Sequence, residues 1–159
     1  MLKIDKDNYS QYKRVFEIFW QHYAKLIETE AKERGLDFNY PSPLEVLNGA
    51  EAQSKSLALK SLKASFSDTF TMLKYAPYEF KKQLDDDLKT NALPGYFEIY
   101  AEAKDSLPTI LKKQLLRSLD EYYFVMEMLN DTASEISTEE REILNKCVLA
   151  FEQKHAKKK

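Results

Sequence analysis

The chain has 159 residues, of which 24 are basic and 26 acidic, giving a net charge of −2. This balance excludes the strongly basic surface that draws a protein to nucleic acid or anionic lipid through bulk charge. The single cysteine excludes an intramolecular disulfide, and charges interrupt every apolar stretch well before the roughly twenty residues that span a bilayer. Three glycines and five prolines are too few for the turns of a many-stranded sheet, so the composition favours helices.

The first predicted helix has an aromatic face. Asp5 or Asp7 is placed to cap its start, and Gly35 is placed to end it in the left-handed conformation. Between these ends, apolar residues recur at spacings of three and four, which puts them on one side of a helix. They are Tyr9, Tyr12, Phe16, Phe19, Tyr23 and Leu26. Such a face is more often core than interface, so we expect it to anchor the fold.

The second helical segment follows a predicted loop over residues 36–43. Ser42 is a suitable N-cap, and Pro43 suits the first helical position because its missing amide hydrogen costs nothing there. Apolar residues at helical spacing continue to Leu73, and Gly49 marks the point at which this long segment would divide.

Two further helices are predicted between prolines. Pro77 ends the preceding segment, and a third helix then runs to about Thr90. Pro94–Gly95 marks a turn, after which a short helix begins near Tyr96.

The remaining chain predicts a long helix and a final helix. Leucines and aromatic residues stay in helical register from Pro108 to Asn130, which predicts one long helix that is either central or a homodimer contact. Ser137 and Glu140 form a capping-box pattern at the start of the last helix. The sequence therefore predicts an all-α fold, a single domain over residues 1–159 built as an irregular bundle of five or six helices, with a frayed tail at about 155–159.

No motif predicts catalysis, a cofactor or a metal. Glu152 and His155 form one Glu-x-x-His pair, whereas a di-metal bundle needs two such pairs and further glutamates. Cys147 lies on an apolar helix face, where a thiol stays protonated and inert. The acidic run Asp85–Asp87 predicts a solvated helix surface. Because the chain also lacks phosphate-binding glycine loops and nucleophile motifs, we expect a non-enzymatic protein.

The leading functional hypothesis is protein–protein interaction, as an adaptor, an inhibitor or an immunity-type neutraliser, with a partner or with a second copy. It depends on an aromatic surplus, since Tyr, Phe and Trp make up 13% of the chain and interfaces favour aromatic residues. The candidate partner-binding residues are those that the predicted helix faces do not absorb, namely Tyr75, Tyr78, Phe97 and Phe124.

Two alternatives remain from other classes. One is a ligand-binding or enzymatic bundle with an aromatic pocket that contains the titratable imidazole of His22. Its candidate lining is Trp20, His22, Tyr23, Tyr100 and Tyr122. The other is nucleic-acid binding through Lys55, Lys60 and Lys63, which the near-neutral net charge disfavours. The polar first residues lack the apolar core of a secretory signal, so we expect a cytoplasmic location.

Overall fold

A computed structural model describes residues 2–37, 42–73, 75–132 and 134–157, which contain eight α-helices and no strand. In chain order the helices are α1 (Tyr9–Glu33), α2 (Pro43–Gln53), α3 (Lys55–Leu73), α4 (Tyr78–Thr90), α5 (Tyr96–Ala103), α6 (Ser106–Lys113), α7 (Leu119–Asn130) and α8 (Thr138–Ala156). The all-α prediction is confirmed, whereas the predicted number of five or six helices was too low.

The helices divide into two compact units. One unit contains Lys3–Tyr96, where α1 packs against α2, α3 and α4. The other contains the chain from Phe97 onward together with Leu2, and there α6 and α7 pack against α8. Each unit thus has its own helix–helix contacts.

The aromatic face of α1 lies in the core of the first unit. Tyr12, Phe16 and Phe19 are buried, and their ring centroids lie 5.6, 6.2 and 5.7 Å from that of Phe66 on α3. Edge and tilted contacts of this kind add to the stabilisation that comes from burying the rings. The face therefore anchors its unit, as its spacing predicts.

Two helices end in the same hydrogen-bonding pattern. At the end of α1, the amide of Leu36 donates to the Ala31 carbonyl at 2.8 Å, and Gly35 adopts the predicted left-handed conformation with φ +66°. At the end of α4, the amide of Leu93 donates to the Leu88 carbonyl at 3.0 Å, and here Ala92 takes the left-handed position with φ +57°. Both ends are Schellman motifs, but the second places a side chain where glycine is favoured.

The start of α1 differs from the prediction. Asn8, rather than Asp5 or Asp7, precedes the first helical residue. The Asp5 carboxylate instead accepts hydrogen bonds from the amides of Asp7 and Asn8, at 2.9 and 3.2 Å. Asp5 therefore stabilises a turn before the helix and does not cap the helix itself.

The break between α2 and α3 lies at Ser54, and the expected division at Gly49 is wrong. Ser54 is extended, with φ −163° and ψ 153°, and its Oγ accepts from the amide of Leu57 at 3.1 Å. Gly49 lies inside α2. The predicted cap at Ser42 is confirmed, because its side chain accepts from the amide of Leu44. Residues 38–41 of the predicted loop lie outside the described residues.

The predicted continuous helix from Pro108 to Asn130 is wrong. Gln114 follows α6 in the left-handed conformation, with φ +51°, which ends the helix because its backbone turns away from the helical path. Ser118 then caps α7 by accepting from the amide of Glu121 at 3.2 Å. Leu115 and Leu119, predicted to belong to one buried face, are each 51% exposed. A dimer face along a single long helix is therefore not formed.

The last helix begins as predicted. Ser137 Oγ accepts from the amide of Glu140 at 3.1 Å, and the Glu140 carboxylate accepts from the amide of Ser137 at 2.9 Å. This is the predicted capping box. The helix continues to Ala156, and of the predicted frayed tail, residues 158–159 lie outside the described residues.

The prediction of a solvated acidic run is wrong at Asp85. This side chain is fully buried, and its carboxylate lies 2.8 Å from the Nζ of Lys89. It also lies directly against the backbone of Gly95, at the turn before α5. The prediction failed because the turn after α4 places Gly95 against Asp85. The helical spacing of the acidic residues does not indicate this contact.

Candidate functional site

A surface cleft of about 320 Å³ lies between α1 and α3, next to the first residue of α2. We call it the aromatic cleft. Its described lining consists of Phe16, Trp20, Tyr23, Ile27, Pro43, Ser65, Asp68, Thr69 and Met72.

The α1 wall of the cleft is aromatic because of helical spacing. Phe16, Trp20, Tyr23 and Ile27 follow one another at intervals of four, three and four, so they share one side of the helix. Phe16 is buried, while the other three are partly exposed. The ring centroids of Trp20 and Tyr23 lie 5.9 Å apart, with the planes inclined by 50°. This wall thus combines a buried base with two accessible aromatic rings.

The α3 wall has smaller and more polar side chains than the α1 wall. Ser65 and Thr69 are small, so they leave space between the two helices. Met72 is 41% exposed at the edge, and its sulfur accepts a hydrogen bond from the Tyr23 hydroxyl at 3.5 Å. Asp68 is exposed and is the one charged side chain among the described residues that line the cleft.

The chemistry of the aromatic cleft suits binding. Its volume is at the lower end of the roughly 300–1,000 Å³ that is usual for ligand sites, and its lining is mainly apolar with few polar groups. Methionine adapts its shape to a bound surface, and tryptophan and tyrosine supply rigid contact area. The described lining contains no histidine, cysteine or lysine that would act as a base or nucleophile.

The structure brings together only part of the predicted pocket. Trp20 and Tyr23 line the aromatic cleft, but His22 does not. The Nε2 atom of His22 instead lies 2.8 Å from the Asp87 carboxylate, and its ring meets that of Phe80 edge-on. The sequence did not specify this acidic partner, because Asp87 lies on α4, 65 positions away.

The other two predicted pocket residues belong to the second unit. Burial, followed by the nearby charges of Asp120 and Glu121, raises the pKa of the Tyr100 hydroxyl. The Tyr122 hydroxyl donates to the Glu152 carboxylate at 2.6 Å. Each tyrosine is thus held by the groups of its own unit.

The candidate partner-binding residues have different environments. Tyr75 is 82% exposed and Tyr78 is partly exposed. Phe97 and Phe124 are buried, and the Phe97 ring packs 5.7 Å from that of Tyr123. Phe97 and Phe124 therefore present too little surface in this fold to form a contact with a partner.

The candidate nucleic-acid contacts Lys55, Lys60 and Lys63 are all exposed on α3. They lie at different angles around the helix axis, over an arc of about 140° at 100° per residue. Lys55 also lines a second surface cleft, of about 610 Å³, together with Glu51. The lysines therefore do not form a compact basic patch.

A charged cluster surrounds Glu51. Its carboxylate accepts hydrogen bonds from the Tyr9 hydroxyl at 2.6 Å and from the Lys13 ammonium at 2.8 Å. These two hydrogen bonds, that of Lys13 first, lower the pKa of Glu51. Burial and the hydrogen bond to Glu51 raise the pKa of Tyr9. The cluster ties α1 to α2.

The remaining candidate groups carry no catalytic geometry. Cys147 is buried, and this burial raises the pKa of its thiol. The His155 ring stacks on that of Phe151, with centroids 4.1 Å apart. Among the described residues, no three His, Cys, Asp or Glu side chains lie close enough to hold a metal ion. None of the helices in the described ranges combines the length and apolarity needed to cross a bilayer.

Comparison with protein-family models, curated proteins and solved structures finds no match to this chain.

Proposed function

We propose that this protein is a non-enzymatic binding domain that captures an apolar segment of a partner protein in the aromatic cleft. The observation that carries the proposal is the exposure of Trp20, Tyr23 and Met72 around a single opening. Tryptophan, tyrosine and methionine are the residue types enriched at protein interfaces, and tryptophan and tyrosine dominate their binding energy.

The shape of the aromatic cleft favours a segment that enters between two helices. The groove between α1 and α3 has a buried aromatic base at Phe16 and an adaptable edge at Met72. An amphipathic helix or a short extended segment inserts two or three apolar side chains into a groove of this kind. A second copy of the chain and a free small molecule are the other occupants that an experiment must distinguish.

Trp20 provides a direct measurement, because it is the single tryptophan of the chain. The probe is a random dodecapeptide library displayed on phage and selected against the immobilised full-length protein. Selected peptides are then synthesised without tryptophan and titrated while Trp20 emission is followed. We expect apolar peptides that shift the emission to shorter wavelength, since a bound segment excludes water from the indole.

Two variants on α3 separate the aromatic cleft from the rest of the surface. Met72→Gln places a polar group at its edge, whereas Leu57→Gln makes the same kind of change at an exposed position outside the lining. We expect Met72→Gln to weaken peptide binding at least fivefold, which corresponds to about 1 kcal/mol, and Leu57→Gln to leave it unchanged.

Three results would contradict the proposal. One is a selection that yields no binding peptide, and another is a set of peptides that bind Met72→Gln as tightly as the original protein. The third is a concentration-dependent dimer, measured by sedimentation, that Met72→Gln dissociates, because the occupant would then be a second copy. Tyr75→Ala tests the other exposed aromatic candidate, and it should not affect peptides that bind the aromatic cleft.

A further inference from the structure

We infer that the captured segment presents a cationic side chain, lysine or arginine, to the aromatic cleft at Asp68. This inference rests on the proposed function and specifies the chemistry of the partner. It joins two features of the same opening, a carboxylate on α3 and a pair of aromatic rings on α1.

Asp68 supplies an uncompensated negative charge at the aromatic cleft. The residue is exposed, and the described residues offer it no ion pair or hydrogen bond. No lysine or arginine occurs in the described lining either. An apolar segment without a cation would partly cover this carboxylate and remove water from it at a cost. A segment with a cation replaces the lost water with an ion pair.

The aromatic rings strengthen the same preference. Trp20 and Tyr23 both line the aromatic cleft, with ring centroids 5.9 Å apart and planes inclined by 50°, so a cationic group bound there lies beside two aromatic rings. The face of an aromatic ring is electronegative and attracts an ammonium or guanidinium group, most strongly in the case of tryptophan. The carbon stem of lysine or arginine can meanwhile pack on apolar side chains such as Ile27 and Met72.

The experiment is a double-mutant cycle on a selected peptide. Its cationic residue is replaced by an uncharged analogue of similar shape, norleucine for lysine or citrulline for arginine, and each peptide is titrated against the original protein and Asp68→Asn. We expect the cationic peptide to lose about three- to tenfold in affinity on Asp68→Asn. The uncharged peptide should bind Asp68→Asn at least as tightly as the original protein, because the asparagine has no charge from which water must be removed. Raising the salt concentration should weaken only the pairing that retains both charges.

Asp86→Asn is the matched control. Asp86 is an exposed aspartate of the same unit, on α4, and it pairs with Lys82 outside the aromatic cleft. Its substitution removes the same charge from the protein without touching the site. A loss of affinity on Asp68→Asn that Asp86→Asn reproduces would mean that the peptide responds only to net charge, and this would overturn the inference.

The results distinguish failure of the inference from failure of the proposed function. Peptides that shift Trp20 emission and depend on Met72 but contain no lysine or arginine would overturn the inference and leave the proposed function intact. The same holds if the uncharged analogue binds as tightly as the cationic peptide. If no peptide shifts Trp20 emission, or if binding is indifferent to Met72→Gln, both fail.

Discussion

Substitution of Gly95 by alanine should destabilise the first unit by several kilocalories per mole. A Cβ at this position would lie 2.7 Å from Cε of Lys89 and 3.1 Å from Cγ of Asp85, and closer still to the Oδ1 atom of Asp85. Carbon atoms that are not bonded to one another are at their optimal separation at about 3.5–4.0 Å, and Cβ atoms essentially never lie within 3.0 Å of another heavy atom. Because the Asp85 side chain is fully buried, it has no solvent-filled space into which to move.

The expected magnitude is the sum of three effects. Overpacking of a buried site costs about 1–3 kcal/mol. Displacing the Asp85 carboxylate from the Lys89 ammonium, 2.8 Å away, leaves a buried charged group worse paired, which costs about 1–3 kcal/mol more. Alanine also makes the unfolded chain less flexible than glycine does, which stabilises the folded protein by about 0.4–1 kcal/mol. We expect a net destabilisation of about 1–6 kcal/mol, centred at about 3 kcal/mol, as for a strained core substitution.

Urea unfolding followed by Trp20 fluorescence measures this loss, because Trp20 and Gly95 belong to the same unit. Gly49→Ala is the matched control. Gly49 lies inside α2 with nothing within 4 Å of an added Cβ, so alanine should stabilise the protein by about 0.5–1 kcal/mol. Shortening the obstructing residue in the double variant Asp85→Ala, Gly95→Ala should give a smaller loss than the two single losses combined.

The reasoning would be refuted by a Gly95→Ala protein as stable as the original. It would equally be refuted if the free energies of the Asp85 and Gly95 variants were simply additive, since Asp85 is the residue that the added Cβ would approach most closely.

Three further predictions concern helix ends, pH and the thiol. Gly35 and Ala92 both adopt the left-handed conformation, which favours glycine. Gly35→Ala should therefore lower the free energy of unfolding by about 1 kcal/mol, and Ala92→Gly should raise it by about 1 kcal/mol. Changes of equal sign would contradict this. The pKa of Glu51 is lowered in the folded protein. Its contribution to the free energy of unfolding is therefore complete above its ordinary pKa of 4.5 and is lost as the pH falls through the lowered value. Urea midpoints measured across pH should show that the original protein is more stable than Glu51→Gln by less than about 1 kcal/mol near neutral pH, and that this difference disappears in acid. A difference in stability that stays constant with pH would refute the prediction. Cys147 should react with a chromogenic disulfide at least about 100-fold faster in urea than in the folded protein, and equal rates would contradict its burial.

Features that depend on neighbouring residues in the chain were predictable. The cap at Ser42 and the capping box of Ser137 need only a hydroxyl or carboxylate next to free backbone amides. The aromatic face of α1 needs only helical spacing. Each of these features involves residues only a few positions apart, so a short stretch of sequence contains all the residues that form it.

The missed features have weak local signals. Gln114 ends α6 in the left-handed conformation without being glycine, and the leucines on either side keep a helical spacing across the break. Gly49, the residue type expected to interrupt a helix, lies inside one because helix interiors tolerate glycine at a cost of about 1 kcal/mol. Residue type thus indicated a break where none occurs and missed one that does.

The aromatic cleft was only half predictable. Trp20 and Tyr23 belong to the candidate pocket predicted from the sequence, and both line the cleft. The opposite wall, with Asp68 and Met72, depends on how α3 packs against α1, and this tertiary contact joins residues more than 40 positions apart. Periodicity shows which face of a helix is apolar but does not identify the face it meets.

The packing of Asp85 against Gly95 also constrains the order in which the sequence can diverge. A side chain at position 95 avoids the collision with Asp85 only after residue 85 has become small, whereas a small residue at 85 does not require any change at 95. Two mutational routes lead from Asp85 and Gly95 to a small residue at 85 and alanine at 95. The route that changes residue 95 first passes through an intermediate with a collision, whereas the route that changes residue 85 first does not. Divergence at these two positions should therefore begin at residue 85.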